Sequence, residues 1–345
     1  MKRSACLLFG LMISLLSEST LAQMMRPPAF IGGIPGRSSM DSIFMQRQQA
    51  RTFLYREALE ELRKNPQAAD LPVCGAATAG PCLATQGAAK APAEPAKAAP
   101  VATEKTIAPP QGRRIALLVG NNEYKNPIPP LETPITDVSK IAQVLSSRFG
   151  FSTHIVKDAS QARIIEELNK IAGDAKPDDY VLLFYAGHGY LMEDIKMGFW
   201  IPVDASVKTA KGWISNQDIS KMLAAIPANQ LILISDSCFS GTLTKEQKVA
   251  DIQPGQHEEI VKRRSVVVLS SGGDEPVSDE GKDGHSIFAW NLINTLKDIG
   301  GVTPGVQVWK TVHKEVKKDY PQEPQYGAVV SAGHSGGGDY IFTPK

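Results

Sequence analysis

The sequence lacks an excess of charge of either sign. Its 345 residues include 37 Lys and Arg against 36 Asp and Glu, which leaves a formal net charge of +1. The basic residues are interspersed with acidic ones and form no long block. A polyanion-binding protein presents a concentrated basic surface. The composition therefore argues against nucleic acid as a partner.

Long apolar runs are absent outside the N-terminus. Lys2-Arg3 precede an apolar stretch from Ala5 to Leu16, and Ala22 ends a small-residue segment suited to cleavage. This pattern is typical of a signal peptide over residues 1–22, with an uncleaved anchor as the alternative. We therefore expect an exported protein, periplasmic or secreted, with no membrane attachment after signal cleavage.

Cysteine is also scarce, with only four in the chain. Cys6 would leave with the signal peptide. Cys74 and Cys82 flank a short turn, and we expect them to form a local disulfide in an oxidising compartment. Cys238 then remains unpaired, which indicates either a reactive thiol or a buried inert one.

The chain has neither a visible internal repeat nor a phosphate-binding glycine motif in a strand-to-helix context. Residues 23–83 are predicted to form an N-terminal segment with one amphipathic helix from Asp41 to Asn65. This helix is either a prodomain or docking helix, or a helix that packs on the main domain or is solvated. Residues 84–111 are rich in Ala, Pro and Lys and predict an extended linker. Residues 112–345 form the main domain.

The main domain alternates apolar strands with helical patterns. Strands are predicted at residues 115–119, 152–156, 180–185, 231–234 and 265–269, and helices at 135–149, 160–172, 215–225 and 286–297, with a last strand at 339–342. Strands joined by crossover helices form largely parallel sheets. The expected fold class is α/β, with helices on both faces of the sheet.

Two buried strands end in residues with reactive side chains. Leu231 to Ile234 precede Asp236-Ser237-Cys238, and Tyr180 to Tyr185 precede Gly187-His188-Gly189, fifty positions upstream of the cysteine. Carboxyl ends of parallel strands meet at the ligand-binding rim of a sheet. An imidazole there can take the proton of a thiol, and the backbone N–H groups of Gly189 and Cys238 can stabilise an oxyanion.

These two motifs resemble the histidine and cysteine motifs of the caspase-like cysteine peptidases. The resemblance extends over about residues 113–343 and includes Ile201-Pro202-Val203-Asp204 and the residues around His285. It implies hydrolysis of peptide bonds in peptide or protein substrates, with Cys238 as nucleophile and His188 as its proton-handling partner.

The nearer resemblance is to bacterial caspase homologues and metacaspases. Animal caspases usually have glutamine two positions before the cysteine, whereas this chain has Asp236. In metacaspases the matching aspartate and one at the start of the first helix, here Asp137, line a pocket for Arg or Lys. We therefore expect cleavage after Arg or Lys. The alternatives are that Asp137 caps its helix and Asp236 bonds the loop backbone.

By the same resemblance, Ser270 and Ser271 belong to the strand end that binds an extended substrate. The loop 242–264 is often cut during maturation in this family, although an ordinary solvated loop is equally compatible with its polar sequence. Two departures from metacaspases are Phe239, where they have histidine, and the lack of an acidic cluster near Asn216-Gln217-Asp218. We expect no cofactor and no metal site, with calcium activation doubtful.

Two alternative functions are compatible with parts of the sequence. The first is a catalytically silent caspase-like module that binds peptides or a partner. The second is a serine hydrolase based on Gly333-His334-Ser335-Gly336-Gly337, which is disfavoured because no histidine follows the serine. The histidines other than His188 show no metal-ligand spacing, and we expect them to be structural or solvated: His154, His257, His285, His313 and His334.

Overall fold

A computed structural model describes residues 49–74, 80–84, 112–125, 127–192, 194–237, 240–250, 257–272, 282–320 and 322–345. The predicted signal peptide and nearly all of the predicted linker lie outside this part of the chain. Cys238 and Phe239 also lie outside it.

Eleven strands and seven α-helices lie wholly within the described residues, in addition to the helical residues 49–54. The strands are β1 (Arg114–Gly120), β2 (Ser152–Lys157), β3 (Tyr180–Ala186), β4 (Gly189–Met192), β5 (Met197–Trp200), β6 (Ile214–Ser215), β7 (Gln230–Asp236), β8 (Ser265–Ser270), β9 (Thr303–Pro304), β10 (Gln325–Ala328) and β11 (Ile341–Phe342). The helices are α1 (Arg56–Lys64), α2 (Pro134–Phe149), α3 (Gln161–Asp174), α4 (Asn216–Ala225), α5 (His257–Val261), α6 (Ile287–Asp298) and α7 (Gly305–Asp319).

Six strands form the central sheet in the order β10-β8-β7-β3-β1-β2. All neighbours are parallel except β8 and β10. The chain places β2 on one side of β1 and β3 on the other. In open α/β sheets this reversal opens a crevice at the carboxyl ends of the strands, where ligands bind.

The strands alternate their side chains between two hydrophobic cores. In β7, Ile232 and Ile234 face one core, and Leu231 and Leu233 face the other. The first core contains α2, α6 and α7, and the second contains α3 and α4. Because a strand reverses its side chains at each residue, a run without polar residues marks a strand covered on both faces. The α/β fold class predicted from the sequence is confirmed.

Local signals in the sequence set the helix ends. Pro134 occupies the first turn of α2, and Gly150 ends that helix with a left-handed φ of 73°. Ser160, Ser215 and Ser286 cap α3, α4 and α6 by accepting a hydrogen bond from a backbone N–H three residues on. These are the expected start and stop residues of helices. The predicted helix bounds therefore agree closely with those found.

Two small sheets lie outside the central one, and the sequence did not predict their pairing. β4, β5 and β6 form an antiparallel sheet, and β11 pairs with β9. The predicted strand at residues 339–342 is thus shortened to β11 and placed away from the central sheet. Neither α7 nor β10 was predicted, although Val308, Val312 and Val316 recur at helical spacing along α7.

The N-terminal segment packs on the main domain. Residues 49–54 are helical, a turn follows at Tyr55, and α1 continues to Lys64. The apolar side of this segment shares a hydrophobic cluster with β4, β5 and the loop after β1. A packed helix was one of the interpretations open from the sequence. Residues 41–48 of the predicted helix lie outside the described residues.

A disulfide joins Cys74 to Cys82. The backbone of Cys74 also donates to the carbonyl of Leu83, and Asn169 of α3 bonds both Cys82 and Ala84. The disulfide loop is therefore attached to the outer face of α3.

Candidate active site

The two chain segments predicted to carry the reactive side chains are neighbours in the central sheet. Ala186, the last residue of β3, pairs with Asp236, the last residue of β7. The N–H of Gly187 donates to the carbonyl of Asp236 over 3.2 Å. His188 lies two residues after Ala186, and Cys238 lies two residues after Asp236, so both follow the same pair of residues in the parallel ladder.

The backbone of His188 is held on both sides. Its N–H donates to the hydroxyl of Tyr124 over 2.8 Å. Its carbonyl accepts from the N–H of Ile201 over 3.0 Å and from the hydroxyl of Tyr185 over 3.1 Å. The ring of Tyr185 stacks at 4.2 Å on that of Trp200. Packed aromatic side chains therefore fix the backbone position of His188.

The imidazole of His188 is buried, with 5% of the residue exposed, and its Nε2 lies 2.8 Å from the carbonyl oxygen of Pro129. A carbonyl only accepts, so Nε2 carries a proton and Nδ1 is the basic nitrogen of the neutral ring. Burial, with a contribution from the charge of Arg51, lowers the pKa of His188 to about 3, against a smaller effect of the Pro129 bond. The ring is neutral at physiological pH.

A close contact explains one of the two glycines beside His188, and the strand pairing orients the other. A Cβ on Gly187 would lie 2.7 Å from the Tyr124 hydroxyl and 2.9 Å from the Tyr185 hydroxyl. Gly189 pairs with Trp200, and the bond from Ile201 to His188 identifies this as a non-hydrogen-bonded pair of the antiparallel ladder. The N–H of Gly189 is consequently directed away from β5, as a donor to a bound oxyanion would be.

The segment leading to Cys238 is buried up to the last described residue before it. Ser235 and Ser237 are buried, and their hydroxyls lie 3.0 Å apart. The indole N–H of Trp200 donates to Ser235 over 3.1 Å. The predicted nucleophile and the predicted oxyanion donor at position 238 lie outside the described residues.

The two predicted pocket carboxylates are linked through one dipeptide. Asp137 accepts from Nδ1 of His285 over 2.7 Å and from the N–H of Ser286 over 3.3 Å. Asp236 accepts from the hydroxyl of Ser286 over 2.6 Å. Asp137 therefore bonds an element distant in the sequence. The sequence did not predict that His285 and Ser286 belong to this site.

Ser270 and Ser271 are fully buried at the end of β8. The hydroxyl of Ser270 donates to the carbonyl of Gly272, and the N–H of Ser271 donates to the carbonyl of Ser235. Since β8 lies between β7 and β10, the backbone of the strand itself is already paired. Their role in substrate binding stays a prediction.

The N-terminal segment reaches the same side of the domain. Arg51 is buried and close enough to His188 to lower the pKa of its imidazole. Thr52 and Tyr190 have their hydroxyls 3.3 Å apart, and Tyr55 packs edge-on against the rings of Tyr190 and Trp213. Residues of the segment thus lie against the strand that directly follows His188.

The remaining histidines and the glycine-rich motif lie elsewhere. Nδ1 of His334 accepts from the N–H of Val266, and His313 packs beside Trp309. His154 lies 3.4 Å from Glu167 at the surface, and the side chain of His257 is outside the described residues. The motif around Ser335 is a turn in which the N–H of Ser335 donates to the carbonyl of Arg264.

Two kinds of feature are absent from the described part of the chain. No group of three or more His, Cys, Asp or Glu side chains there could hold a metal ion. None of the helices there has both the length and the apolar character needed to cross a bilayer.

The caspase domain model matches residues 113–331, well over half of the chain. The chain therefore belongs to the caspase domain family. This is a family of cysteine peptidases.

Several curated relatives are metacaspases. Metacaspase-1 of Eremothecium gossypii is 30% identical over 151 residues, which cover 38% of this chain and 32% of the relative. Metacaspase-1B of Aspergillus fumigatus is 28% identical over 206 residues, covering 54% and 48% of the two chains. The chain thus spans about a third to a half of the length of these relatives. Among solved structures, caspase-1 from Spodoptera frugiperda is 14% identical, with a TM-score of 0.47 over 64% of this chain and 87% of that one.

Proposed function

We propose that the protein is a cysteine endopeptidase that hydrolyses peptide bonds after Arg or Lys with Cys238 and His188. The observation that carries the proposal is the hydrogen bond from Nε2 of His188 to Pro129 beside the rung shared by β3 and β7. It leaves Nδ1 as the proton acceptor of a neutral imidazole. His188 follows β3 by two residues, and Cys238 follows the neighbouring strand β7 by two residues. This is the arrangement a thiol nucleophile needs.

The chemistry follows from these positions. Nδ1 of His188 takes the proton of the Cys238 thiol, and the thiolate sulfur attacks the substrate carbonyl carbon. The negative charge that forms on the sulfur, and then on the oxyanion, stabilises the imidazolium, which burial and the charge of Arg51 disfavour in the resting protein. The carbonyl oxygen becomes an oxyanion, which the N–H groups of Gly189 and Cys238 stabilise. The imidazolium returns its proton to the leaving amine as the C–N bond breaks. Water, deprotonated by the same imidazole, then hydrolyses the thioester and restores the thiol.

The preference for a basic side chain is supported by the pairing of Asp137 and Asp236 around Ser286. Both carboxylates are nearly buried and lie within hydrogen-bonding distance of this residue. Two acidic groups held together at the rim attract a guanidinium or ammonium and repel an acidic side chain.

A peptidase assay tests the proposal. The mature protein and Cys238→Ala would be compared on peptide substrates that differ only in Arg, Lys or Asp before the scissile bond, with calcium and with a chelator. We expect hydrolysis after Arg and Lys, none after Asp, no calcium requirement and no activity in the variant. Activity retained by Cys238→Ala would refute the assigned nucleophile, and efficient cleavage after Asp would refute the pocket.

The burial of His188 favours a second candidate function, a catalytically silent module that binds peptides. With 5% of His188 exposed, a substrate can reach the ring only after the surrounding residues move. The two candidates differ in one measurement. A silent module would bind an Arg-containing peptide and leave it intact, whereas a peptidase would release its fragments.

We further propose that the protein is exported after removal of residues 1–22, since those residues have the three-part pattern of a signal peptide. Sequencing the N-terminus of protein purified from the periplasm or the medium tests this. We expect it to start at Gln23.

A further inference from the structure

The dipeptide His285-Ser286 connects the two acidic residues of the proposed pocket. Ser286 donates its hydroxyl proton to Asp236, and the same oxygen accepts from the N–H of Ala289. One hydroxyl therefore both caps α6 and fixes Asp236. Asp236 is 50 positions earlier in the chain and Asp137 is 149 positions earlier, so this contact depends entirely on the tertiary fold.

His285 makes the matching contact with Asp137. Its Nδ1 lies 2.7 Å from Oδ1 of that carboxylate, and the ring lies nearly parallel to that of Trp290 at 6.2 Å. An ionised carboxylate only accepts, so Nδ1 carries the proton of the neutral ring. The second nitrogen, Nε2, is then where a further proton binds. The ring can thus keep its bond to Asp137 in both charge states.

We propose that His285 is a positioning residue of the specificity pocket, and that its protonation offsets the charge of Asp137 and weakens the preference for a basic substrate side chain. This inference rests on the proposed cleavage after Arg or Lys. With a neutral ring, His285 and Ser286 orient two negative carboxylates. With a charged ring, a cation already lies against Asp137, and the substrate cation gains less by binding.

The groups around His285 place this change on the acid side of neutrality. Burial, with the charges of Lys140 on α2 and Lys297 on α6, lowers the pKa of His285. Asp283, in the preceding turn, raises it, and the hydrogen bond to Asp137 acts in the same direction as Asp283. The net direction is downward, so the ring gains its charge at a lower pH than a free imidazole does.

The first test compares two substrates and three proteins. The substrates contain arginine or its uncharged isostere citrulline before the scissile bond. The proteins are wild type, His285→Gln, which keeps a donor to Asp137 but cannot become charged, and His313→Gln as a control. His313 is a second partly buried histidine with a lowered pKa, but it packs beside Trp309 on α7.

The readout is the ratio of kcat/KM for the two substrates as a function of pH. In wild type and His313→Gln we expect the arginine preference to fall roughly tenfold as the pH is lowered through the titration of His285, mainly through KM. In His285→Gln the preference should persist and be independent of pH. Equal pH dependence in His285→Gln and wild type would overturn the proposal.

A second measurement needs no change at His285. In Cys238→Ala, the pKa of His285 can be followed by NMR with an arginine peptide or a citrulline peptide bound. Because coupling between sites is reciprocal, the arginine peptide should lower this pKa and the citrulline peptide should leave it unchanged. An identical pKa with both peptides would contradict the proposal, even if His285→Gln failed to fold.

The basic pocket and the role of His285 can be refuted separately. If wild type does not prefer arginine to citrulline at any pH, the proposed basic pocket is wrong. If wild type prefers arginine by the same ratio at every pH, the pocket stands and the role of His285 is wrong.

Discussion

Nε2 of His188 donates to the carbonyl oxygen of Pro129 across a gap of 59 positions in sequence. The bond fixes the tautomer of the neutral ring. We predict that ¹⁵N NMR of Cys238→Ala will show Nε2 protonated and Nδ1 unprotonated in His188. Because burial lowers the pKa of this ring to about 3, both signals should stay constant from about pH 8 to about pH 5. A titration of His188 near pH 6.5 would contradict this description.

The charge of Arg51 contributes to the lowered pKa of His188. Its positive charge disfavours a second charge on the buried imidazole. We predict that Arg51→Gln raises the pKa of His188, measured by the same NMR experiment. Arg56→Gln is the matched control, because Arg56 belongs to the same segment but lies exposed over the ring of Phe53. An equal shift in both variants would indicate a general loosening of the segment and no specific charge effect.

Gly187 is required because the hydroxyl of Tyr124 approaches it closely. In Gly187→Ala the new methyl group displaces Tyr124, which holds the N–H of His188. We expect kcat/KM to fall by at least about tenfold and the free energy of unfolding to fall by about 1–3 kcal/mol. Gly173→Ala is the control, since a Cβ there meets nothing within 4 Å and should leave activity unchanged.

Asp339 predicts a pH dependence of stability. It is fully buried, accepts from Tyr326, Val306 and Tyr340, and burial raises its pKa to about 6. Between its unfolded pKa of 3.8 and about 6, the native state holds a proton that the unfolded state releases. Stability therefore falls as pH rises through this window, by at most about 3 kcal/mol.

Denaturant unfolding of wild type and Asp339→Asn at several pH values checks this. The asparagine cannot ionise, so its free energy of unfolding should lack the decrease seen in wild type between about pH 4 and pH 6. Parallel curves for the two proteins would show that Asp339 does not titrate in that window.

The central sheet could be predicted because its strands are covered on both faces. Apolar runs such as Leu231 to Ile234 mark such strands, and serines such as Ser286 mark the helix that follows. Each of these signals extends over only a few consecutive residues, so it can be recognised from a single sequence. The sequence indicated only that both strand ends lie at the same rim of the sheet, and the structure adds the register that brings Ala186 beside Asp236.

The surroundings of the reactive groups could not be predicted in the same way. Tyr124 and Pro129 lie in a loop without periodicity, and His285 contacts a residue 148 positions away. An amphipathic pattern shows that a helix has an apolar face but not which surface covers it. This is why the packing of the N-terminal segment beside His188 was left open by the sequence.

The loop 242–264 contains several basic residues at which self-processing could occur. Two of them, Lys248 and Arg264, differ in accessibility. The guanidinium of Arg264 is bonded to the carbonyls of Leu223, Ala228 and Ala332. Lys248 is exposed and follows the bridge that Gln247 makes with Ala328. A peptidase needs an accessible, locally extended chain. We therefore predict cleavage after Lys248 and not after Arg264.

Mass spectrometry of the purified protein tests this prediction. Wild type should yield a fragment that ends at Lys248, whereas Cys238→Ala and Lys248→Ala should lack this fragment. Arg264→Gln should still be cut after Lys248, because its side chain contributes to packing and not to the cleaved segment. A fragment that ends at Arg264 would contradict the assignment, and an intact wild-type chain would show that the loop is not self-processed.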